Sequence, residues 1–131
     1  MSQDVASHDE NKSDSARILI GVSGGIAAYK IATLVSGLAK HGHDVTVIMT
    51  QAATRFIGSD TFRALSGNDV YTCVFEQSMP LGAHVSVTKD KDVFLVAPAT
   101  AQAIAAMAHG SANDLLTAAY LAFEGPVLAA P

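Results

Sequence analysis

The chain has 131 residues, half of them apolar and 15% charged, with a formal net charge of −4 and a mean hydropathy of +0.31. That is about one domain on a prior of ~150 residues, and too apolar for a wholly disordered chain. One Cys, ten Gly and four Pro exclude a disulfide-stapled or collagen-like scaffold, and the acidic balance argues against a dedicated nucleic-acid binder.

Residues 1–16 carry Asp4, Asp9, Glu10, Lys12 and Asp14 with few apolar residues, which predicts a solvated, disordered tail. The tail has neither a signal-peptide core nor an Arg-rich amphipathic pattern. With Cys73 unable to form an internal disulfide, the expected compartment is the cytoplasm.

Arg17–Ser23 is a continuous apolar run, as in a parallel strand covered on both faces. Gly24 and Gly25 end it. A helix is expected from about Ile26 to His41, with Ile31, Leu34, Val35 and Leu38 as its buried stripe. Gly42 suits the position after that helix, where positive φ is common. Asp44–Thr50 reads as the second strand. Residues 51–67 read as one or two short helices interrupted at Gly58-Ser59, and 68–83 as irregular with at most a short strand near Val70–Val74.

Asp92–Ala97 is the next buried strand and Ala99–His109 a helix. Ser111-x-x-Asp114 has the spacing of a capping box ahead of a helix striped by Leu116, Ala119, Tyr120 and Phe123. Gly125-Pro126 closes it, and Val127–Ala130 begins another strand. The uncharged stretch from Val93 to Asn113 is long enough to cross a bilayer. Its Pro98, Thr100, Gln102, His109, Gly110 and Ser111 instead mark a strand, a turn and an Ala-rich helix. No membrane partner is expected.

Strand–helix alternation implies a parallel sheet in three layers, with ligands outside the strand C-termini. Ser23-Gly24-Gly25-Ile26 sits there, where backbone N–H groups and a helix dipole favour an anion. It lacks the spacing of a dinucleotide fingerprint, and Thr50-Gln51 replace the ribose-binding acid. No Gly-Lys-Ser/Thr occurs, so a mononucleotide such as FMN fits better than NAD or ATP. A ligand-free tight turn is the alternative. His41 and His43 flank a helix end and read as caps. No His or Cys pair has zinc spacing, so no metal is expected. His84, in the irregular segment near the ligand edge, is a candidate acid or base.

Gly21–Lys30, Val47–Thr50 with Ala53 and Phe56, Ala64–Gly67, His84, Val96–Ala101 and Ala108–Thr117 occur in order. Together they resemble the homo-oligomeric flavin-containing cysteine decarboxylases. These include phosphopantothenoylcysteine decarboxylase and the peptidyl-cysteine decarboxylases of lanthipeptide-type biosynthesis. The resemblance covers residues 17–131 and implies a Rossmann-like or flavodoxin-like α/β fold that binds FMN. By matching positions, Ser23, Gly24, Gly25 and Ile26 would cradle the cofactor. Thr50, Gln51 and Ala52, with Phe56, would close the second strand's edge. Pro98, Ala99, Thr100, Ala101, Gln102 and Ala103 would line the flavin, and His84 would be the catalytic base. The family assembles its sites between subunits, which implies a homotrimer or a homododecamer.

Gln102 stands where the family commonly has Asn, and Val85–Asp92 departs from the coenzyme A branch. That departure favours oxidative decarboxylation of a peptide's C-terminal cysteine to an aminoenethiol. The alternatives are decarboxylation of phosphopantothenoylcysteine, a small-molecule cysteine conjugate, and a non-catalytic flavin-binding regulatory subunit. The family's substrate-binding Met-Asn motif and flexible clamp match nothing within the 131 residues. Residues 17–131 are therefore expected to form the flavoprotein domain without them.

Overall fold

The computed structural model describes residues 14–72 and 83–131, with the side chains of Ala83 and His84 outside that description. The sheet is built on β1 (Arg17–Val22) and β2 (Asp44–Met49), each buried at all but its first residue. They pair in parallel from Arg17 against Asp44 to Val22 against Met49. β3 (Val70–Tyr71) adds beside β2, β4 (Val93–Val96) beside β1, and β5 (Val127–Ala129) beside β4, all parallel. The resulting order is β3-β2-β1-β4-β5. Of the two common doubly wound orders this is the Rossmann one, and its direction reverses between β1 and β4.

Side chains alternate across the sheet and separate two cores. On one face Ile18, Ile20, Val22, Val45, Val47 and Met49 meet α1 (Ala28–Lys40) and α2 (Ser59–Ser66) through Ile31, Val35 and Phe62. On the other, Leu19, Ile48, Phe94 and Val96 meet Val87, Leu115, Leu116 and Ala119. Val87 follows α3 (Ala83–Ser86), which packs on α5 (Leu115–Ala122). Between β4 and α5 lies α4 (Ala101–His109). Gly21 is needed where α5 closes on β1, since a Cβ there would stand 3.0 Å from Leu116 Cδ1 and 3.2 Å from Phe94 Cε2.

The expected elements are present, with differences at their ends. α1 starts at Ala28 rather than Ile26, and Leu34 lies on the flank of its stripe at 36% exposure. Gly42 has φ +89°, as expected after α1. A 3₁₀ turn (Ala53–Arg55) and α2 divide 51–67 at Gly58. The helix α3 was not expected. The capping box is Asp114–Thr117 rather than Ser111–Asp114, because α5 begins at Leu115 and makes Asp114 its N-cap.

The reading of a tail falls outside the described residues up to residue 13, as do Cys73 and the 73–82 part of the irregular segment. Ser15 and Ala16 depart from it. Ser15 Oγ donates to Gly42 O (2.9 Å), and Ala16 N–H donates to His43 Nδ1 (3.0 Å). His43 thus ties the start of the sheet, whereas His41 caps α1 by donating from Nδ1 to Gly37 O (2.8 Å). Val93–Asn113 divides into β4, a loop and α4 with its following turn. Among the described residues no helix is long and apolar enough to cross a membrane.

Candidate cofactor site

Four chain segments meet at the C-terminal edge of the sheet around a cavity of about 300 Å³. The loop after β1 contributes Ser23 and Gly24, and the loop after β2 contributes Thr50, Gln51 and Ala52. Thr100, Gln102, Ala103 and Ala106 come from the start of α4, and Asn113, Asp114 and Thr117 from the start of α5. The cavity straddles the strand-order reversal, where doubly wound sheets bind ligands.

The β1 loop is held from both sides. Toward β2, a Cβ on Gly24 would lie 2.5 Å from Ala52 Cβ and 2.9 Å from its carbonyl carbon, so only glycine permits this approach. Thr50 N–H donates to Val22 O (3.0 Å), and Thr50 Oγ1 accepts from Ala53 N–H (3.1 Å). Toward β4, Ser23 Oγ donates to Pro98 O and accepts from Thr100 N–H (3.0 Å). Gly25 stands beside this second loop, with room for a Cβ at 3.4 Å from Thr100 Cγ2.

Two helix N-termini line the cavity and a third, that of α1, follows its β1 loop, in different states. Thr100 Oγ1 caps α4 by accepting from Ala103 N–H (3.2 Å). Asp114 Oδ1 caps α5, accepting from Thr117 N–H (2.8 Å) and Oγ1 (2.9 Å). The first turn of α1 has no side-chain cap and no acidic residue. Ala28 N–H donates to Gly25 O and Lys30 N–H to Ala27 O (both 3.0 Å), and the turn sits at the positive end of the helix dipole. An anion placed by Gly24 and Gly25 meets that positive end with no carboxylate in the first turn of α1.

The cavity therefore fits a phosphate-bearing mononucleotide. Its neutral polar side chains supply donors and acceptors for a heterocycle. Its volume lies at the small end of the ~300–1,000 Å³ range of ligand pockets. Thr50 and Gln51, rather than an acid, follow β2.

Of the residues singled out from sequence, Ser23, Gly24, Thr50, Gln51, Ala52, Thr100, Gln102 and Ala103 line the cavity. Gly25, Pro98, Ala99 and Ala101 adjoin it in sequence without lining it. Ile26 and Phe56 are exposed apolar residues, at 79% and 50%. His84 is on α3, whose following residue Val87 is buried against Leu115 and Leu116. Ala106, Asn113, Asp114 and Thr117 were not singled out as site residues. They sit within or beside the Ala108–Thr117 stretch that entered the resemblance, and a cap beside the reversal point is the signal that could have found them.

These features define a class: a doubly wound α/β domain with a mononucleotide crevice at its strand-order reversal. The chain belongs to the Flavoprotein family, whose profile matches residues 6–131. The resemblance to flavin-containing cysteine decarboxylases holds in the individual relatives. The chain is 49% identical over 115 residues to the coenzyme A biosynthesis bifunctional protein CoaBC of Mycolicibacterium smegmatis, covering 88% of this chain and 28% of that protein. With CoaBC of Bacillus subtilis it shares 44% over 119 residues, covering 90% and 29%. The chain thus spans less than a third of the length of these relatives. Among solved structures it resembles the FMN-dependent cysteine decarboxylase SpaF, with TM-score 0.78 and 32% identity over 87% of this chain and 66% of that one. The cysteine decarboxylase TvaF from thioviridamide biosynthesis shares the fold at TM-score 0.82 and 24% identity, over 87% and 71%.

Proposed function

We propose that this chain binds FMN and carries out the cysteine decarboxylation of coenzyme A biosynthesis, with phosphopantothenoylcysteine as substrate. The observation that carries this reading is the 44–49% identity to coenzyme A biosynthesis proteins across nearly the whole chain. Identity to the cysteine decarboxylases SpaF and TvaF is 32% and 24%. The divergent stretch Val85–Asp92 points to a peptide substrate, but it is eight residues against more than a hundred. The order of preference from the sequence is therefore reversed. The peptide reading stays second, supported by the likeness to SpaF.

FMN held here would supply reversible two-electron chemistry: the substrate's Cβ–S unit would be oxidised so that the charge left by departing carbon dioxide is delocalised onto sulfur, and the same two electrons would then reduce the resulting enethiol to the saturated thiol. The chain's part is to hold and orient. Gly24, Gly25 and the start of α1 receive the phosphate. Thr50, Gln51 and Ala52 form one wall, and Thr100, Gln102 and Ala103 form the other. His84 accepts a proton from the substrate as the carbon–sulfur unit is oxidised, a role typically worth ~10²–10⁴-fold. Ile26, Tyr29 and Phe56, all exposed apolar residues, suit burial against further copies in a trimer or a multiple of one.

Purified protein, checked by light scattering for the trimeric assembly, is incubated with phosphopantothenoylcysteine and with peptides ending in Cys. The expected result is loss of carbon dioxide from the small molecule and unchanged peptides. Peptides converted to enethiols would establish the second reading instead, and bound flavin with neither substrate consumed would leave a flavin-binding subunit. His84→Asn keeps the flavin and loses at least about 100-fold in turnover. Turnover at the parent rate removes His84 from the reaction.

A further inference from the structure

The geometry points to Ser23 as a positioning residue that locks the two walls of the crevice together, rather than a ligand of the cofactor phosphate; this rests on the flavin reading above. Ser23 lies in the glycine turn where a phosphate would be received, and on sequence grounds it belongs to the cradle. Its hydroxyl is already committed. A serine hydroxyl has one proton to donate, and Ser23 gives it to Pro98 O while accepting from Thr100 N–H at 3.0 Å. The residue is 2% exposed, so water does not stand in readily for either partner.

Both partners belong to the β4 loop, 75 and 77 residues further along the chain. Thr100 is also the N-cap of α4, with Oγ1 turned to Ala103 N–H. The hydroxyl, beside a longer bond from Ser23 N–H to Pro98 O (3.4 Å), therefore ties the β1 loop to the N-terminus of α4. Gly24 against Ala52 fixes the spacing on the other side by steric contact. The crevice keeps its width through the close approach at Gly24 on one side and the hydroxyl and backbone bonds of Ser23 on the other. Losing the hydroxyl leaves the half-buried Thr100 N–H short of its partner and Pro98 O with only the Ser23 N–H at 3.4 Å, which the loop relieves by shifting. A shift of this wall affects the whole bound flavin, not its phosphate alone.

The discriminating measurement compares FMN with riboflavin, which lacks the phosphate. Fluorescence titration of flavin-free protein, well below its unfolding temperature, gives both affinities for the parent and Ser23→Ala. Both fall by about 10-fold in Ser23→Ala, the scale of one hydrogen bond, so their ratio stays at the parent value. Amide hydrogen exchange at Thr100 speeds up by a similar factor without any flavin. Ser23→Thr, which keeps the hydroxyl, restores both affinities and protection. Ser23→Cys, close to serine in volume and a weak donor, falls between.

A loss confined to FMN would make Ser23 a phosphate ligand and overturn the proposal. Unchanged affinities with unchanged exchange at Thr100 would overturn it as well. A parent that binds neither flavin overturns the cofactor reading, while exchange at Thr100 still decides whether the lock exists.

Discussion

The first turns of α4 and α5 line one cavity and the first turn of α1 follows its β1 loop, yet only the former two carry a side-chain cap. Thr100 and Asp114 fold back onto Ala103 and Thr117, and α5 adds the reciprocal bond from Asp114 N–H to Thr117 Oγ1 at 3.3 Å. α1 is preceded by glycines and has Ala27 where a capping side chain would stand. A side-chain cap at a helix start contributes ~0.5–2 kcal/mol, so α1 forgoes stability that its neighbours retain. The difference separates two uses of the same helix end. Capped ends hold the wall of the crevice, and on the function proposed above the uncapped end receives a ligand's charge.

The strongest way to break this arrangement is at the approach that sets it. Gly24→Val forces Cβ into Ala52 and should destabilise the fold by about 3 kcal/mol, read from urea unfolding, with loss of flavin binding. A stability change below about 1 kcal/mol would show that the β1 and β2 loops part easily.

Gly25→Asp sharpens the comparison by giving α1 a carboxylate of its own. Space exists for the new Cβ. FMN affinity should fall about 100-fold, or ~2.7 kcal/mol, and riboflavin affinity by much less. Stability without flavin should stay within ~0.5 kcal/mol of the parent, since the carboxylate meets the favourable end of the helix dipole. Equal losses for the two flavins would place the phosphate elsewhere.

The smallest effect is expected at a capped end. Asp114→Ala removes the box on α5 and should cost ~1 kcal/mol in thermal or urea unfolding. Flavin binding should weaken less than in Gly25→Asp. A larger loss of flavin than of stability would make Asp114 a contact of the ligand rather than a cap.

The alternation of helix and strand was legible because it is local. The run Ile18–Val22 is apolar at nearly every position, as a strand covered on both faces requires, and Gly67 and Gly110, both at positive φ, mark helix ends through backbone preferences of their own. Leu34 was misplaced because periodicity gives the centre of a buried stripe better than its edge. The spacing Ser111–Asp114 misled because a capping pattern has meaning only relative to the helix start, and α5 starts at Leu115. Most of the candidate cavity residues were legible too, since the tips of parallel strands lie on one edge once right-handed crossovers are granted.

Composition, periodicity and the ordered motifs were thus sufficient for the α/β class, the parallel sheet and the edge that holds the crevice, because each follows from the chain's local preferences. The partnership of Ser23 with Pro98 and Thr100, the contact that requires glycine at 24, and the place of Asn113, Asp114 and Thr117 in the wall join residues far apart in sequence or bring a distant helix start to the β1 loop. They depend on how β4 and α5 settle beside β1. That settling is governed by packing of Phe94 and Leu116 over Gly21, and no spacing along the chain encodes it.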